Sequence, residues 1–227
     1  MENIKIIYED DDVLAINKPA GLLVHGQSSL VDWLVKKYPE IKNVGEDLTR
    51  PGIVHRLDKD TSGVLLIAKN QKSFEYLKTQ FQQKKIKKKY LALVNGEIKN
   101  NSGIIDLPIG KSKKDFRKKK AGKDARGKIR EAVTEYKVLK RFDKYTLVEV
   151  LPKTGRTHQI RVHFKAIGHP IVGDKLYGHQ SNLNRQFLHA NSLELTLLGG
   201  ARIKLEADLP DDLKNFLNML NYDYDKN

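Results

Sequence analysis

Short apolar runs separated by turn residues dominate the hydrophobic pattern of this chain. Such runs predict β-strands, and they lie at residues 4–8, 13–16, 64–68, 90–94, 132–139, 145–151, 187–189, 193–197 and 202–205. Apolar residues at helical spacing predict helices that begin near residues 28, 71, 154 and 211, the third ending at Gly168. Because many strands are joined by short turns, the pattern favours an α+β fold: a large mixed, mainly antiparallel sheet flanked by a few helices.

The length and composition indicate one globular domain over residues 1–227. A chain of 227 residues with 39% hydrophobic residues buries one sizeable core. No apolar stretch approaches the roughly 20 residues that span a bilayer, and the N-terminus lacks the pattern of a secretory signal. The chain has no cysteine, which excludes disulfides and thiol chemistry. We therefore expect a cytoplasmic monomer without a membrane association.

The positive charge is concentrated in the middle of the chain. The formal net charge is +14, but residues 1–60 carry −3, residues 61–180 carry +19 and residues 181–227 carry −2. Two segments, 84–89 with five lysines and 111–130 with eleven Lys/Arg, hold much of the excess. Such a face suits a phosphate backbone, although a basic surface kept for solubility is the alternative. Segment 111–130 has almost no apolar residues, so we expect a loop or arm that is disordered until RNA binds.

A group of charges and hydroxyls, HRLDKDTSG at 55–63, stands directly before the apolar run at 64–68. Charged groups at the mouth of a buried strand are costly to desolvate unless they have partners or a function. Loops held by such a scaffold are common places for active sites. We therefore predict that Asp58 is a catalytic carboxylate.

Two other motif matches in the sequence are misleading. Residues 58–63 imitate the start of a calcium-binding EF-hand loop, but position twelve would be Lys69 where a bidentate glutamate is required. Residues 122–128 match most of a phosphate-binding P-loop, but Ile129 replaces the Ser/Thr that holds magnesium, and no apolar strand precedes the match. Neither match predicts a metal site.

Five motifs in a fixed order give the chain a resemblance to a known family. They are NKPAGLLVH at 17–25, HRLDKDTSG at 55–63, KYLA at 89–92, GRTHQIRVH at 155–163 and GHPIVGD at 168–174. Together they resemble the RNA pseudouridine synthases of the RluA type, over nearly the whole chain. Many relatives carry a small RNA-binding module ahead of the catalytic domain, whereas here the catalytic pattern begins within the first ten residues. We therefore expect the domain itself to hold the RNA.

The resemblance implies isomerisation of particular uridines in structured RNA, ribosomal or transfer RNA, to pseudouridine, without cofactor or metal. The bond from C1′ to N1 is cut, the uracil turns in place, and C5 is joined to the same C1′. Asp58 matches the essential aspartate of the family. An ionised carboxylate can attack C1′ or stabilise positive charge that develops there, as in glycosidases, and the sequence leaves both routes open.

The same resemblance implies two further catalytic residues. Arg161 matches the basic residue that pairs with the aspartate, and an opposite charge nearby favours the ionised carboxylate. Tyr90 matches the active-site tyrosine that is placed to stack on the uracil, with transfer of a proton during the rearrangement as a second role left open. Without the resemblance, Tyr90 reads as an ordinary strand aromatic and Arg161 as a helix-surface arginine.

The remaining predicted site residues are RNA contacts. Arg56 matches a residue that enters the RNA stack when the target nucleotide is flipped out, with a phosphate contact as the alternative. The other predicted contacts with RNA, direct or through a neighbouring residue, are His55, Lys18, Lys153, Arg156, His158, Lys118, Lys119 and Lys120. His163, His179 and His189 are interpreted as structural.

Two other functions compete with a pseudouridine synthase. One is a non-catalytic RNA-binding or ribosome-assembly protein on the same fold, against which the joint presence of Asp58, Tyr90 and Arg161 argues. The other is a metal-independent RNA hydrolase that uses Asp58 with His55 or His158. A hydrolase would cut the RNA strand, whereas a pure binding protein would change no uridine.

Overall fold

The structure, a computed structural model, describes residues 4–113, 115, 117–178 and 181–226. Within these ranges the chain forms twelve β-strands and four α-helices. The strands are β1 (Lys5–Glu9), β2 (Val13–Lys18), β3 (Ser62–Ala68), β4 (Lys87–Asn95), β5 (Ser102–Asp106), β6 (Ile109–Lys111), β7 (Lys119–Ala121), β8 (Arg126–Arg130), β9 (Val133–Arg141), β10 (Tyr145–Pro152), β11 (Leu188–Thr196) and β12 (Arg202–Glu206). The helices are α1 (Leu30–Lys37), α2 (Gln71–Gln82), α3 (Gln159–Ala166) and α4 (Asp211–Met219).

The chain folds into two compact units, and the first consists of Met1–Lys88 and Ala190–Asp208. In this unit β2 pairs antiparallel with β1 and with β3, and β11 pairs antiparallel with β12. Strand β3 is buried along its whole length because its small and aliphatic residues carry no charge. Helix α2 packs on β3, and its buried Phe74 and Leu77 lie three residues apart on one helix face. Strand β3 begins at Ser62, within the HRLDKDTSG segment, so this segment is joined directly to a buried strand.

The second unit consists of Lys89–His189 and Leu209–Asn227. Its larger sheet has the order β4-β10-β9-β5, with antiparallel pairing throughout. Helix α3 packs on β9 and β10, where the fully buried Phe164 lies 5.6 Å from the ring of Tyr136. Helix α4 contributes Phe216, whose ring lies edge-on to Tyr145. The core of this unit therefore includes the buried face of α3.

A small second sheet, which we call the basic sheet, has the order β7-β6-β8. It corrects the expectation of a disordered arm over 111–130, although Lys114 and Phe116 lie outside the described residues. The reason is a small hydrophobic cluster of Ile109, Ala132, Val162 and Tyr177, whose members come from outside the charged segment. Composition within the segment could not reveal a core supplied by other segments.

Other elements were predicted with partial accuracy. Helix α1 begins after Ser29, whose amide donates to the Asp32 carboxylate at 2.7 Å, as expected for a cap. Helix α3 begins at Gln159 and not at Thr154, because His158 adopts the left-handed conformation (φ 57°, ψ 20°). The strands expected at 187–189 and 193–197 form the single strand β11, and the sequence analysis missed β5 and the three strands of the basic sheet.

The α+β class and the mainly antiparallel sheet are confirmed, whereas a single domain over residues 1–227 stays a prediction. Among the described residues, no helix combines the length and the apolar character needed to cross a bilayer. In the same part of the chain, no three His, Cys, Asp or Glu side chains come together as potential metal ligands.

Candidate active site

Asp58 lies in a loop of the first unit that is held by backbone hydrogen bonds. Its carbonyl oxygen accepts from the Thr61 amide at 3.1 Å, and the next carbonyl, of Lys59, accepts from the Gly21 amide at 3.0 Å. The Asp58 side chain is partly exposed, whereas Thr61 is 2% exposed. The loop therefore combines a fixed backbone with an aspartate that is only partly buried.

The side chain of Lys18 is the main anchor of this loop. It is fully buried, and its Nζ donates to the carbonyl oxygens of Pro19 at 2.7 Å, Leu22 at 2.9 Å and Lys59 at 2.9 Å. These three bonds use all three ammonium protons. The role of Lys18 in RNA contact stays a prediction, and these bonds favour contact through a neighbouring residue: the lysine ties the NKPAG turn to the Asp58 loop.

Gly63 allows the end of the Asp58 loop to enter β3. Its φ is +117°, and a Cβ at this position would lie 2.2 Å from the carbonyl oxygen of Ala190. Both the conformation and the space require glycine. Any other residue would push the start of β3 away from Ala190, and the loop would move with it.

His55 has a structural place in the first unit. Its Nε2 accepts the Leu66 amide at 2.9 Å, and its ring stacks on Phe81 with centroids 4.7 Å apart. Burial, with a smaller contribution from the charge of Lys88, lowers the pKa of His55 from 6.5 to about 3. The imidazole is therefore neutral at pH 7, and direct contact of His55 with RNA stays an untested prediction that these bonds do not favour.

Arg56, by contrast, is exposed. One guanidinium nitrogen, Nη1, lies 2.9 Å from Nε2 of His25, which acts as the acceptor because arginine only donates. Burial, followed by the charge of Arg56, lowers the pKa of His25 below its usual value. An exposed planar guanidinium with a neutral partner is well suited to stacking or to a phosphate contact.

Arg161 is a buried residue of α3, with 7% of its surface exposed, and is not the helix-surface arginine of the alternative interpretation. Its Nε and Nη2 donate to the two carboxylate oxygens of Asp174 at 2.7 and 2.8 Å. Burial by itself raises the pKa of Asp174, but the hydrogen bonds and charge of Arg161 outweigh it, so this pKa is lowered overall. The two-point bond fixes the plane of the guanidinium.

Tyr90 lies on β4 and pairs with Val150 of β10. Its side chain is partly buried and packs against the core of the second unit. The strand therefore fixes its position, and its role as the stacking residue stays a prediction.

The predicted RNA contacts of the second unit fall into two groups. Lys153 and Arg156 reach the surface, where Lys153 pairs with Glu135 at 2.7 Å and Arg156 Nε donates to the Glu131 carbonyl at 2.9 Å. Lys118, Lys119 and Lys120 lie on or next to β7 of the basic sheet, and Lys120 is the most exposed of the three.

Among the other histidines, His163 is structural as expected, with Thr134 and Leu107 as partners. His179 lies outside the described residues.

Sequence reasoning missed Asp174 and Tyr177 as site residues. Asp174 accepts from the amides of Leu176 and Tyr177 as well as from Arg161, and it is fully buried. The Tyr177 ring centre lies 5.1 Å from the guanidinium carbon of Arg161. A buried arginine requires a carboxylate, but only the structure shows that Arg161 is buried.

The known proteins that resemble this chain point to one family. A family model described as RNA pseudouridylate synthase matches residues 12–166, which include Asp58, Tyr90 and Arg161. The chain belongs to this family. It is thus an isomerase that acts on RNA, and the predicted family and enzyme class are confirmed.

Individual relatives agree with this assignment. The chain is 42% identical to "Uncharacterized RNA pseudouridine synthase YlyB" of Bacillus subtilis, over 96% of this chain and 73% of that protein. It is 40% identical to "Ribosomal large subunit pseudouridine synthase D" of Borreliella burgdorferi, over 95% and 68%. It is also similar to the solved structure "Human RNA Pseudouridylate Synthase Domain Containing 1", with TM-score 0.78 and 30% identity over 92% of this chain and 84% of that one.

Proposed function

We propose that this chain converts specific uridines of ribosomal RNA to pseudouridine. The relatives named ribosomal large subunit pseudouridine synthases support ribosomal RNA over transfer RNA as substrate. The reaction breaks the bond between N1 and C1′ and forms a bond between C5 and C1′. The proton on C5 is lost and N1 gains a proton, so the reaction balances without a redox partner. A cytoplasmic location and a monomeric state are part of the same proposal.

Asp58 is proposed to act at C1′ of a uridine flipped out of the RNA stack. The observation that carries this proposal is the fixed loop: the buried Lys18 donates to the Lys59 carbonyl, the close contact of Gly63 with Ala190 fixes the end of the loop, and Asp58 stays partly exposed. A preorganised charge costs little reorganisation when positive charge develops on the sugar. The test below applies equally whether Asp58 attacks C1′ covalently or stabilises the positive charge that develops there.

Arg161 and Tyr90 are proposed as the other catalytic residues. The two hydrogen bonds that Arg161 donates to Asp174 hold a permanent positive charge in one orientation, which supports a role in keeping a carboxylate ionised. The strand position of Tyr90 supports a role in which an aromatic ring stacks on the uracil. Arg56 is proposed to fill the gap in the RNA stack, as its exposure allows.

The experiment compares Asp58→Asn with Asp60→Asn, a matched loss of one carboxylate two residues further on. The substrate is an unmodified transcript of large-subunit ribosomal RNA from the same organism, labelled with tritium at C5 of uridine, so that each turnover releases tritium to water. We expect Asp58→Asn to lower the rate on the order of a thousand-fold or more with unchanged RNA affinity. Asp60→Asn should keep the rate within about three-fold.

Two outcomes would contradict this proposal. Tritium release by Asp58→Asn near the wild-type rate would remove Asp58 from the chemistry. A wild-type protein that binds the transcript but releases no tritium and leaves the strand intact would be a binding protein, and strand cleavage would indicate a hydrolase.

A further inference from the structure

The hydroxyl of Tyr177 lies at a junction of the second unit. It accepts the backbone N–H of Lys119 at 2.7 Å and lies 2.9 Å from Nδ1 of His158. Lys119 begins β7, which is an edge strand of the basic sheet, and His158 immediately precedes α3. One side chain outside both elements therefore holds the edge of the basic sheet and the start of the helix that carries Arg161.

The hydroxyl of Tyr177 makes two hydrogen bonds at this junction. A backbone N–H can only donate, so the Tyr177 oxygen accepts from Lys119, and it shares a second hydrogen bond with Nδ1 of His158. Tyr177 thus fixes the ring position of a residue that is predicted to contact RNA.

The backbone of His158 adopts an uncommon conformation. Its φ of 57° and ψ of 20° lie in the left-handed region, which few residues with a Cβ adopt, although asparagine, aspartate and histidine do so more often than the others. Strain of this kind persists where the surroundings determine it, and it concentrates at functional sites. Here the segment before α3 ends at His158, and this conformation brings the imidazole next to the Tyr177 hydroxyl. The two ring centres lie 5.6 Å apart.

The ring and the backbone of Tyr177 reach Arg161. The ring centre lies 5.1 Å from the guanidinium carbon, within the range of a cation–π contact. The Tyr177 amide donates to Oδ1 of Asp174 at 3.0 Å, and the same oxygen accepts from Arg161. The phenol body itself is 7% exposed and belongs to the small hydrophobic cluster beneath the basic sheet.

We propose that Tyr177 is a positioning residue that joins the RNA-holding basic sheet to His158 and Arg161. Its hydroxyl sets the place of β7 and the ring position of His158, and its ring supports the guanidinium of Arg161. This inference rests on the proposed function, because it assigns RNA binding to the basic sheet and catalysis to Arg161. It adds a residue that neither the sequence analysis nor the family match assigns.

Two substitutions separate the two parts of this role. Tyr177→Phe keeps the ring and removes only the hydroxyl with its two hydrogen bonds, so we expect the Kd for the unmodified ribosomal transcript to rise roughly three- to ten-fold. The single-turnover rate at saturating RNA should fall by less than about two-fold. Tyr177→Leu also removes the ring, so both the Kd and the saturating rate should worsen, the rate by about ten-fold.

A direct readout of the junction is hydrogen exchange at the Lys119 amide. Tyr177→Phe removes its acceptor, so the exchange of this amide should become faster while that of Gly110 on β6 changes little. The matched control is Tyr145→Phe, a partly buried tyrosine of the same unit, which should leave the Lys119 exchange, the Kd and the rate unchanged.

His158→Asn provides a second variant should Tyr177→Phe not fold, because asparagine tolerates the left-handed conformation. It should raise the Kd by a similar factor, and the double variant should be no weaker than the worse single variant. Unchanged Kd in folded Tyr177→Phe, or additive effects in the double variant, would overturn the proposal. A wild type that makes no pseudouridine would overturn the proposed function alone, since the Kd and the exchange still report on the junction.

Discussion

Two buried or half-buried side chains of the first unit, Lys18 and His55, show how single residues hold the candidate catalytic loop. Lys18 donates to three carbonyl oxygens, one of them that of Lys59 in the loop, and His55 accepts an amide of β3 through Nε2. Neither atom can contact RNA without first breaking these bonds. Both residues occur in motifs that, from sequence alone, predict contact with RNA, either direct or through a neighbouring residue, so a motif match identifies an important residue without identifying what it touches.

Acid stability provides a test of the His55 environment. The pKa of His55 is about 3 in the folded protein and about 6.5 in the unfolded chain, so between these pH values the unfolded state binds a proton that the folded state does not. Stability contributed by neutral His55 is complete above about pH 6.5 and is lost as the pH falls towards 3. The slope is up to about 1.4 kcal/mol per pH unit, or about 2 kcal/mol between pH 7 and 5.

The measurement is urea unfolding of the wild type and His55→Gln at pH 7 and pH 5. Glutamine does not titrate, and its carbonyl oxygen can accept the Leu66 amide, so we expect the variant to lose about 2 kcal/mol less than the wild type over this interval. His25→Gln is the control, because His25 is more exposed and should give a smaller difference. Equal losses in wild type and His55→Gln would show that His55 titrates normally in the folded state.

At the scale of elements, helix α3 begins where Gln159 anchors the chain. Its Oε1 accepts from Thr154 Oγ1 at 2.7 Å and from the Arg156 amide at 3.0 Å. Its Nε2 donates to the Val133 carbonyl and to Thr134 Oγ1, both at 3.0 Å. The side-chain amide thus satisfies four bonds and joins the segment before α3 to β9, which sets the position from which Arg161 extends.

Gln159→Glu tests this anchor with almost no change in shape. The substitution replaces the donor Nε2 with an oxygen that faces the Val133 carbonyl, in a side chain that is 5% exposed. We expect a loss of about 2–4 kcal/mol in the free energy of unfolding at pH 7, measured by urea titration. Gln82→Glu at the exposed end of α2 should stay within about 0.5 kcal/mol. A loss of similar size in both variants would mean that the four hydrogen bonds of Gln159 contribute no more to the free energy of unfolding than an exposed side chain does.

The elements also show how far sequence reasoning extends. The strands with runs of aliphatic residues, such as β3, and the helices with a clear cap, such as α1, were predicted closely because their signals are local. The basic sheet and the true start of α3 were not, because Tyr177, Val162 and the left-handed His158 act across distant segments. For the candidate site, the motifs pointed to Asp58, Arg56 and Arg161, whereas Asp174 and Tyr177 required knowledge of which side chains are buried together.

At the scale of the whole molecule, the charge is divided unequally between the two units. The first unit carries 17 Lys/Arg against 15 Asp/Glu, and the second carries 25 against 13. The excess of +12 in the second unit accompanies the basic sheet, whose segment 111–130 contains eleven Lys/Arg. Because exposed charges act on a polyanion by releasing its counterions, the second unit is expected to dominate the salt dependence of RNA binding.

The triple substitution of Lys118, Lys119 and Lys120 by alanine tests this expectation. If each lysine neutralises about one phosphate, the slope of log Kd against log salt should become shallower by roughly two to three, and the Kd at low salt should rise at least about ten-fold. The rate on bound, saturating RNA should change far less than the Kd, since these lysines are predicted to contribute to RNA affinity and not to the chemistry.

The matched control removes Lys36, Lys37 and Lys42, three exposed lysines of the acidic N-terminal region, and lowers the net charge equally. If both triple variants flatten the slope by the same amount, net charge alone governs binding and the basic sheet has no local contact with phosphate; if only the first does, the sheet lies against the RNA backbone.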